Sequence, residues 1–327
     1  VVLGLAIIVG LFFGLSRFIT DLMWYGQLGF QSVVWTQLGV KIGLWVAYAL
    51  LTALTGFVSA WLAIRARPDS ADGSTIRING DVVEVGKSVS SKTARRVAVV
   101  ISLIVGVIFG SQFNANWSEI LLMFNAQSFG TTDPQFGLDN GFYVFVLPGL
   151  KLVLAAVAML LGVGLVFSVV THVLMGGIRI TMPVNGRGLF SITKRCRRQL
   201  GIWLMLNMFA WAVRQMIGVF DQLTVQGSRI TGASYTAVHA NIPVTFIMAA
   251  LTAILGVVLG IWLMRSHTLE GQASIGVRAS AALKAWRVPV TSIAVVVVVG
   301  LVLTVAWPVL LQRFRVNPNA QEMESTY

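Results

Sequence analysis

The sequence predicts an all-α integral membrane protein with seven transmembrane helices, a cytoplasmic N-terminus and an extracytoplasmic C-terminus. Three observations carry that prediction. Of 327 residues, 56% are hydrophobic and only 11% are charged, against about 25% charged in ordinary soluble domains. Seven apolar runs approach or exceed the roughly 20 residues that a helix needs to cross a bilayer. The 24 Lys and Arg residues gather in alternate connections between those runs.

The first run, Val1 to Phe18, is apolar apart from Ser16 and Arg17 and reads as the remainder of a span that begins earlier. No signal-peptide cleavage pattern follows it. From Asp21 to Leu38, Trp24, Tyr25, Phe30 and Trp35 are scattered among Gln and Gly, as suits a membrane interface. Further spans are expected at 40–64, 97–113, 149–175, 200–220, 242–264 and 288–311. The tail from Gln312 is polar, and 316–327 is expected to begin an extracytoplasmic domain.

The basic residues set the orientation. Arg65, Arg67, Arg77, Lys87, Lys92, Arg95 and Arg96 follow the second run. Arg179, Arg187, Lys194, Arg195, Arg197 and Arg198 follow the fourth, and Arg265, Arg278, Lys284 and Arg287 the sixth. The opposite connections hold almost none, with Arg229 alone between the fifth and sixth runs. The positive-inside rule places the three basic loops in the cytoplasm. That asymmetry also accounts for the net charge of +12 without nucleic acid.

Within the 65–96 loop, β-branched runs flank Asn79-Gly80, the pattern of a small β-hairpin with a type I′ turn. Arg179 to Phe190 repeats the theme around Asn185-Gly186, with Pro183 interrupting its first run. Outside the membrane, Trp117, Ile120, Leu121 and Phe124 stand at helical spacing and predict an amphipathic helix on the outer leaflet. After it, Asp133-Pro134 has the pattern of a helix N-cap followed by Pro at the first helical position, and Asp139-Asn140-Gly141 that of a turn. Pro148 then steers the chain back into the membrane.

Charges inside spans are costly and are functional candidates by default. Arg214 and Asp221, seven residues apart in the fifth run, fall on one helix face near its outer end. Arg17 and Asp21 stand at i, i+4 at the outer end of the first. These four are candidates for an intramembrane polar or lipid path, with a simple inter-helix pair or interfacial snorkelling as the plainer alternative. Gly10/Gly14, Gly106/Gly110 and Gly256/Gly260 form three GxxxG pairs suited to close helix packing, within the chain or between copies. Asp133 and Asp139 are the weak catalytic candidates, since paired outer carboxylates suit acid–base work at a membrane surface. His172, His239 and His267 lie on different sides and assemble no metal site, and Cys196 is a lone thiol. No nucleotide loop, zinc-protease signature or nucleophile elbow is present, so no cofactor is expected.

The stretch Asp133-Pro134-Gln135-Phe136-Gly137-Leu138-Asp139-Asn140-Gly141-Phe142-Tyr143 through Pro148 resembles the hallmark of the bacterial membrane proteins grouped as uncharacterised protein family 0182. Asp21 to Phe30, Gly232 to Ala240, and Val316-Asn317-Pro318-Asn319 with Glu322 and Glu324 agree with it. Ala237 and Leu138 stand where family members often carry an acidic and a basic residue. The resemblance implies a multi-pass protein of the bacterial plasma membrane, with seven spans followed by a large extracytoplasmic domain. It implies no reaction.

The expected function is an anchor or scaffold for that outer domain, working in cell-envelope lipid handling or transport. Membrane lipids, the outer domain, further copies of the chain and a cytoplasmic or membrane protein are its expected partners. Two alternatives belong to other classes: a membrane transferase using Asp133 or Asp139, and a regulatory or receptor protein that docks a cytoplasmic partner on the Asn79-Gly80 hairpin.

Overall fold

The computed structural model describes residues 2–67, 74–78, 81–85, 90–180, 190–225, 232–266 and 275–319. Helix α1 (Val2–Gln27) ends where Gly29 takes a left-handed conformation (φ 76°) and Phe30 N–H bonds back to the Tyr25 carbonyl, a glycine-capped helix end. Helix α2 (Gln31–Arg65) starts at once. The aromatic stretch expected to lie at the interface is therefore helical on both sides of one sharp corner. Strands β1 (Ser74–Ile78) and β2 (Asp81–Val85) pair antiparallel, Ser74 opposite Val85; the expected turn residues, Asn79 and Gly80, lie outside the described residues.

Helix α3 (Ser91–Phe113) passes through a single 3₁₀ turn into the short helix α4 (Trp117–Phe124). Helix α5 (Leu147–Leu174) is followed by β3 (Ile178–Ile180), which pairs with β4 (Phe190–Ile192). The expected Asn185-Gly186 turn again lies outside the described residues. Helix α6 (Lys194–Gly218) is capped by the Thr193 hydroxyl, which accepts from Cys196 N–H at 3.4 Å. Helices α7 (Ile242–Arg265), α8 (Ile275–Leu301) and α9 (Trp307–Leu311) complete the order.

Among the described residues, six helices are long and apolar enough to cross a membrane: Gln31–Arg65, Ser91–Phe124, Phe142–Leu174, Lys194–Leu223, Ala237–Arg265 and Trp286–Asn319. Each exceeds its predicted span, because the sequence marks the apolar stretch and not the helix. Lys92, Arg95 and Arg96 occupy the first turns of α3, and Lys194 to Arg198 those of α6, instead of forming loops. Lys92, Arg95, Arg96, Lys194, Arg195 and Arg198 are exposed there, whereas Arg197 is fully buried.

Proline explains a second departure. Four five-residue π-helical segments, Phe142–Val146, Ala237–Asn241, Val302–Ala306 and Gln312–Val316, each end two residues before a proline: Pro148, Pro243, Pro308 and Pro318. Proline donates no N–H, and its ring clashes with the carbonyl four residues back. Widening the preceding turn by one residue moves that carbonyl aside. Pro148 therefore sits inside a continuous helix and does not steer the chain into it. The tail expected to be polar from Gln312 likewise stays helical to Asn319, with Val316 buried; residues 320–327 lie outside the described residues.

The principal helix contacts form a row, α3–α2–α5–α6–α7–α8, with α1 laid on α2. Small residues set the spacing. A Cβ on Gly106 would lie 2.5 Å from the Ala49 carbonyl oxygen, and one on Gly110 2.8 Å from that of Trp45, so α2 and α3 touch backbone to backbone. Gly260 and Gly201 do the same for α7 and α6, where a Cβ on Gly201 would come within 2.8 Å of the Gly260 carbonyl oxygen. Gly256 faces Met208. Two of the three GxxxG pairs thus pack within the chain. A Cβ on Gly10 or Gly14 would meet nothing within 4 Å among the described residues.

Candidate functional site

The hallmark stretch between α4 and α5 is a knot tied by two carboxylates. Asp133 Oδ1 accepts from the backbone N–H of Gln135 (2.9 Å) and Phe136 (2.6 Å). Its Oδ2 accepts from Leu138 N–H (2.9 Å) and the Tyr143 hydroxyl (2.8 Å). The loop closes because Gly137 turns left-handed (φ 67°) and Asp133 N–H reaches the Leu138 carbonyl. Asp139 accepts from Ser128 Oγ (2.5 Å) and from the N–H groups of Phe129, Gly130 and Gly141, at 3.0, 3.0 and 2.7 Å.

This reverses the roles expected from sequence. The helix begins at Asn140, so Asp139 is its cap, and Asp133-Pro134 closes a turn. The reason is the bond from Leu138 N–H, which curls the chain around Asp133 before it can extend into a helix.

The same bonds set the acidity. Burial works to raise the Asp133 pKa, but hydrogen bonds from Phe136, Tyr143, Leu138 and Gln135 outweigh it and leave the pKa lowered. The Ser128 hydroxyl, with the N–H groups of Phe129, Gly141 and Gly130, brings Asp139 down to about 2. Both groups are ionised and fully engaged, the opposite of a proton-shuttling pair, whose pKa values lie near the working pH.

The knot is joined by aromatic contacts to the 3₁₀ turn Val219–Leu223 that follows α6. Phe220 packs edge-on against Phe136, Phe142 and Tyr143, with ring centroids 4.9, 5.3 and 6.4 Å away. The next residue, Asp221, is thereby held toward α5, where both of its oxygens accept from Lys151 Nζ at 2.8 Å. Lys151, Asp221 and Arg214 line one hollow of about 260 Å³, with Trp211, Gln215 and Leu154 on its walls. The Lys151 and Asp221 side chains are 46% and 36% exposed, so the ion pair is open to the surroundings. Arg214 is exposed, and among the described residues no carboxylate pairs with it. Gln215 is turned away to the Thr252 hydroxyl of α7 (3.2 Å).

Sequence reasoning selected Arg214 and Asp221, and the structure brings them to one hollow. It missed Lys151, although a lysine three residues into an apolar run falls under the same rule that selected Arg214. Arg17 and Asp21 do not join this cluster. Both are exposed on α1, and no ion pair links them, because an exposed i, i+4 pair gains only a few tenths of a kcal/mol. His172 bonds Gln199 Oε1 (3.0 Å), and His239 stacks on Tyr235 at 4.0 Å. Among the described residues, no three His, Cys, Asp or Glu side chains converge as metal ligands.

Long apolar helices, outward-facing Phe, Leu, Val and Ile side chains, and a few charges gathered at helix ends define the architecture of a multi-pass membrane protein. The chain belongs to the Uncharacterised protein family (UPF0182), whose model matches residues 1–327. It is 99% identical over 327 residues to a UPF0182 protein of Bifidobacterium longum, covering 100% of this chain and 31% of the relative. It is 76% identical to one of Bifidobacterium adolescentis, again over 100% of this chain and 30% of the relative. A UPF0182 protein of Corynebacterium diphtheriae is 31% identical over 313 residues, 94% of this chain and 29% of the relative. The chain thus spans about three-tenths of the length of the curated relatives it matches. No solved structure matches it.

Proposed function

We propose that this region is the membrane-embedded part of a cell-envelope lipid-handling protein, a scaffold that carries a large extracytoplasmic domain and receives lipid at the Lys151–Arg214–Asp221 hollow. The reading takes α1 as a seventh span, with the basic first turns of α3 and α6 in the cytoplasm. From Arg198 to Arg214 is sixteen residues of α6, about 24 Å at 1.5 Å per residue. In a hydrocarbon core of about 30 Å, Arg214 lies just below the outer headgroups, and Lys151 and Asp221 lie level with them.

One observation carries the proposal: two cations and one carboxylate share a half-open hollow walled by Trp211 and Leu154. A phosphate headgroup satisfies Arg214 and competes with Asp221 for Lys151, while the apolar wall takes an acyl chain. The knot then serves as the platform for the outer domain and as the clamp that positions Asp221. The open Gly10/Gly14 face of α1 supports association of copies. A transferase using Asp133 or Asp139 is less well supported, because both carboxylates are occupied by the chain's own donors.

The test is lipid retention by the purified full-length protein, read by native mass spectrometry. Arg214→Ala and Lys151→Ala each reduce retained phospholipid roughly tenfold, the scale of one charge-assisted contact of about 1.4 kcal/mol. Thermal stability changes by less than about 1 kcal/mol for Lys151→Ala, as for other exposed pairs. Unchanged retention in both variants contradicts the proposal.

A further inference from the structure

A second charged hollow lies at the other end of α6, where its first turns meet the last turn of α2. It measures about 370 Å³ and is lined by Leu62, Arg65, Arg195, Arg198, Gln199 and Ile202. Three arginines, Arg65, Arg195 and Arg198, line it. Arg65 lies over the Trp61 ring with its central carbon 3.7 Å from the ring centroid, which fixes the plane of the guanidinium. Arg195 Nη1 donates to the Arg65 carbonyl oxygen at 3.5 Å and ties the start of α6 to the end of α2. Gln199 cannot supply a counter-charge, and it is already engaged with the Ser59 carbonyl (2.9 Å) and His172.

Among the described residues, no carboxylate lines the hollow and none pairs with Arg65, Arg195 or Arg198. All three are exposed and make one positive surface that an anion neutralises. The surroundings narrow the choice of anion. Leu62 and Ile202 are 43% and 45% exposed, so the hollow has an apolar wall open to the side of the bundle. A soluble anion gains nothing from that wall, whereas an acyl chain lies along it.

We propose that this hollow binds the phosphate of an anionic phospholipid, held by Arg195 and Arg198 with Arg65 behind them, its acyl chain running against Leu62 and Ile202. Guanidinium forks match phosphate oxygens two at a time, and basic pockets between helices at the cytoplasmic side are a recognised setting for acidic headgroups. The inference shares with the proposed function only the assumption that the basic end of the bundle faces a lipid leaflet; it does not depend on the Arg214 hollow.

The experiment uses the full-length protein in mild detergent, titrated with phosphatidylglycerol or phosphatidylcholine and read by native mass spectrometry. The wild type prefers phosphatidylglycerol by roughly tenfold. Arg195→Gln/Arg198→Gln removes that preference, a loss of about 1.4 kcal/mol for the tenfold. Arg195→Lys/Arg198→Lys keeps the charge, loses the fork and falls between. Arg96→Gln, at an exposed cation in the first turns of α3 outside this hollow, leaves the preference unchanged, which separates the site from general basic charge. If the glutamine variant does not fold, competition on the wild type decides. Excess glycerol 3-phosphate leaves the bound lipid in place if the inference holds. Equal binding of the two lipids by the wild type, an undiminished preference in the glutamine variant, or displacement by glycerol 3-phosphate overturns it.

Discussion

The knot around Asp133 and Asp139 and the hollow around Lys151 and Asp221 touch through Phe220, yet they use carboxylates in opposite ways. Each knot carboxylate accepts four hydrogen bonds, mostly from backbone N–H groups within ten residues or so. Asp221 is met by one lysine, seventy residues away in sequence, with both side chains more than a third exposed. A carboxylate bonded by its own backbone fixes a conformation and has no capacity left for a ligand. A carboxylate held by one exposed cation is exchangeable. The difference fits the proposed reading, in which the knot is architecture and the hollow is where a ligand exchanges.

The contrast predicts unequal responses to mutation. The largest belongs to Asp133→Ala, which leaves several backbone donors and the Tyr143 hydroxyl without their acceptor. Thermal unfolding of the full-length protein is expected to show a loss of about 3 kcal/mol, the scale for orphaning buried donors to a charged group. Folded molecules should also retain less lipid, because Phe136 and Tyr143 no longer hold Phe220 beside Asp221. If stability is kept and lipid is lost, the assignment of the two regions is reversed.

Phe220→Ala comes next. It removes the edge-on contacts to Phe136, Phe142 and Tyr143, for about 2 kcal/mol at a half-buried aromatic position. Because Asp221 follows it directly, this variant should lower both stability and lipid retention. Loss of stability alone would mean that the knot does not position the hollow.

The smallest effect is acid sensitivity. The Asp139 carboxyl has its pKa depressed from 3.8 to about 2, so its contribution is complete above its unfolded value and is lost as pH falls through the folded one. Asp133 is lowered as well and acts in the same sense. The melting temperature of the wild type should fall between about pH 4 and pH 2, and Asp139→Asn should flatten part of that decline. A profile unchanged by the substitution removes Asp139 from the account.

What could be read from the sequence follows the range of each interaction. Apolar runs mark six of the helices, because burial in lipid is a property of each residue alone. Helix ends are less legible. Pro148 reads as a breaker, but the wide turn at Phe142–Val146 absorbs it. Gly106/Gly110 and Gly10/Gly14 are the same pattern in sequence, and only the first meets a neighbouring helix. The cap and turn at Asp133 and Asp139 were recognisable as such, yet their order depended on a bond from Leu138 that no spacing rule supplies. Lys151 was open to the rule that selected Arg214, but its pairing with Asp221 required knowing that α5 and the turn after α6 stand side by side.

The most direct test of the central claim is a cryo-electron microscopy map of the full-length protein in lipid nanodiscs. The account predicts headgroup density between Lys151 Nζ and the Arg214 guanidinium, with an acyl chain along Trp211 and Leu154. A dry hollow closed by repacked side chains, with Arg214 turned to a protein carboxylate, contradicts it.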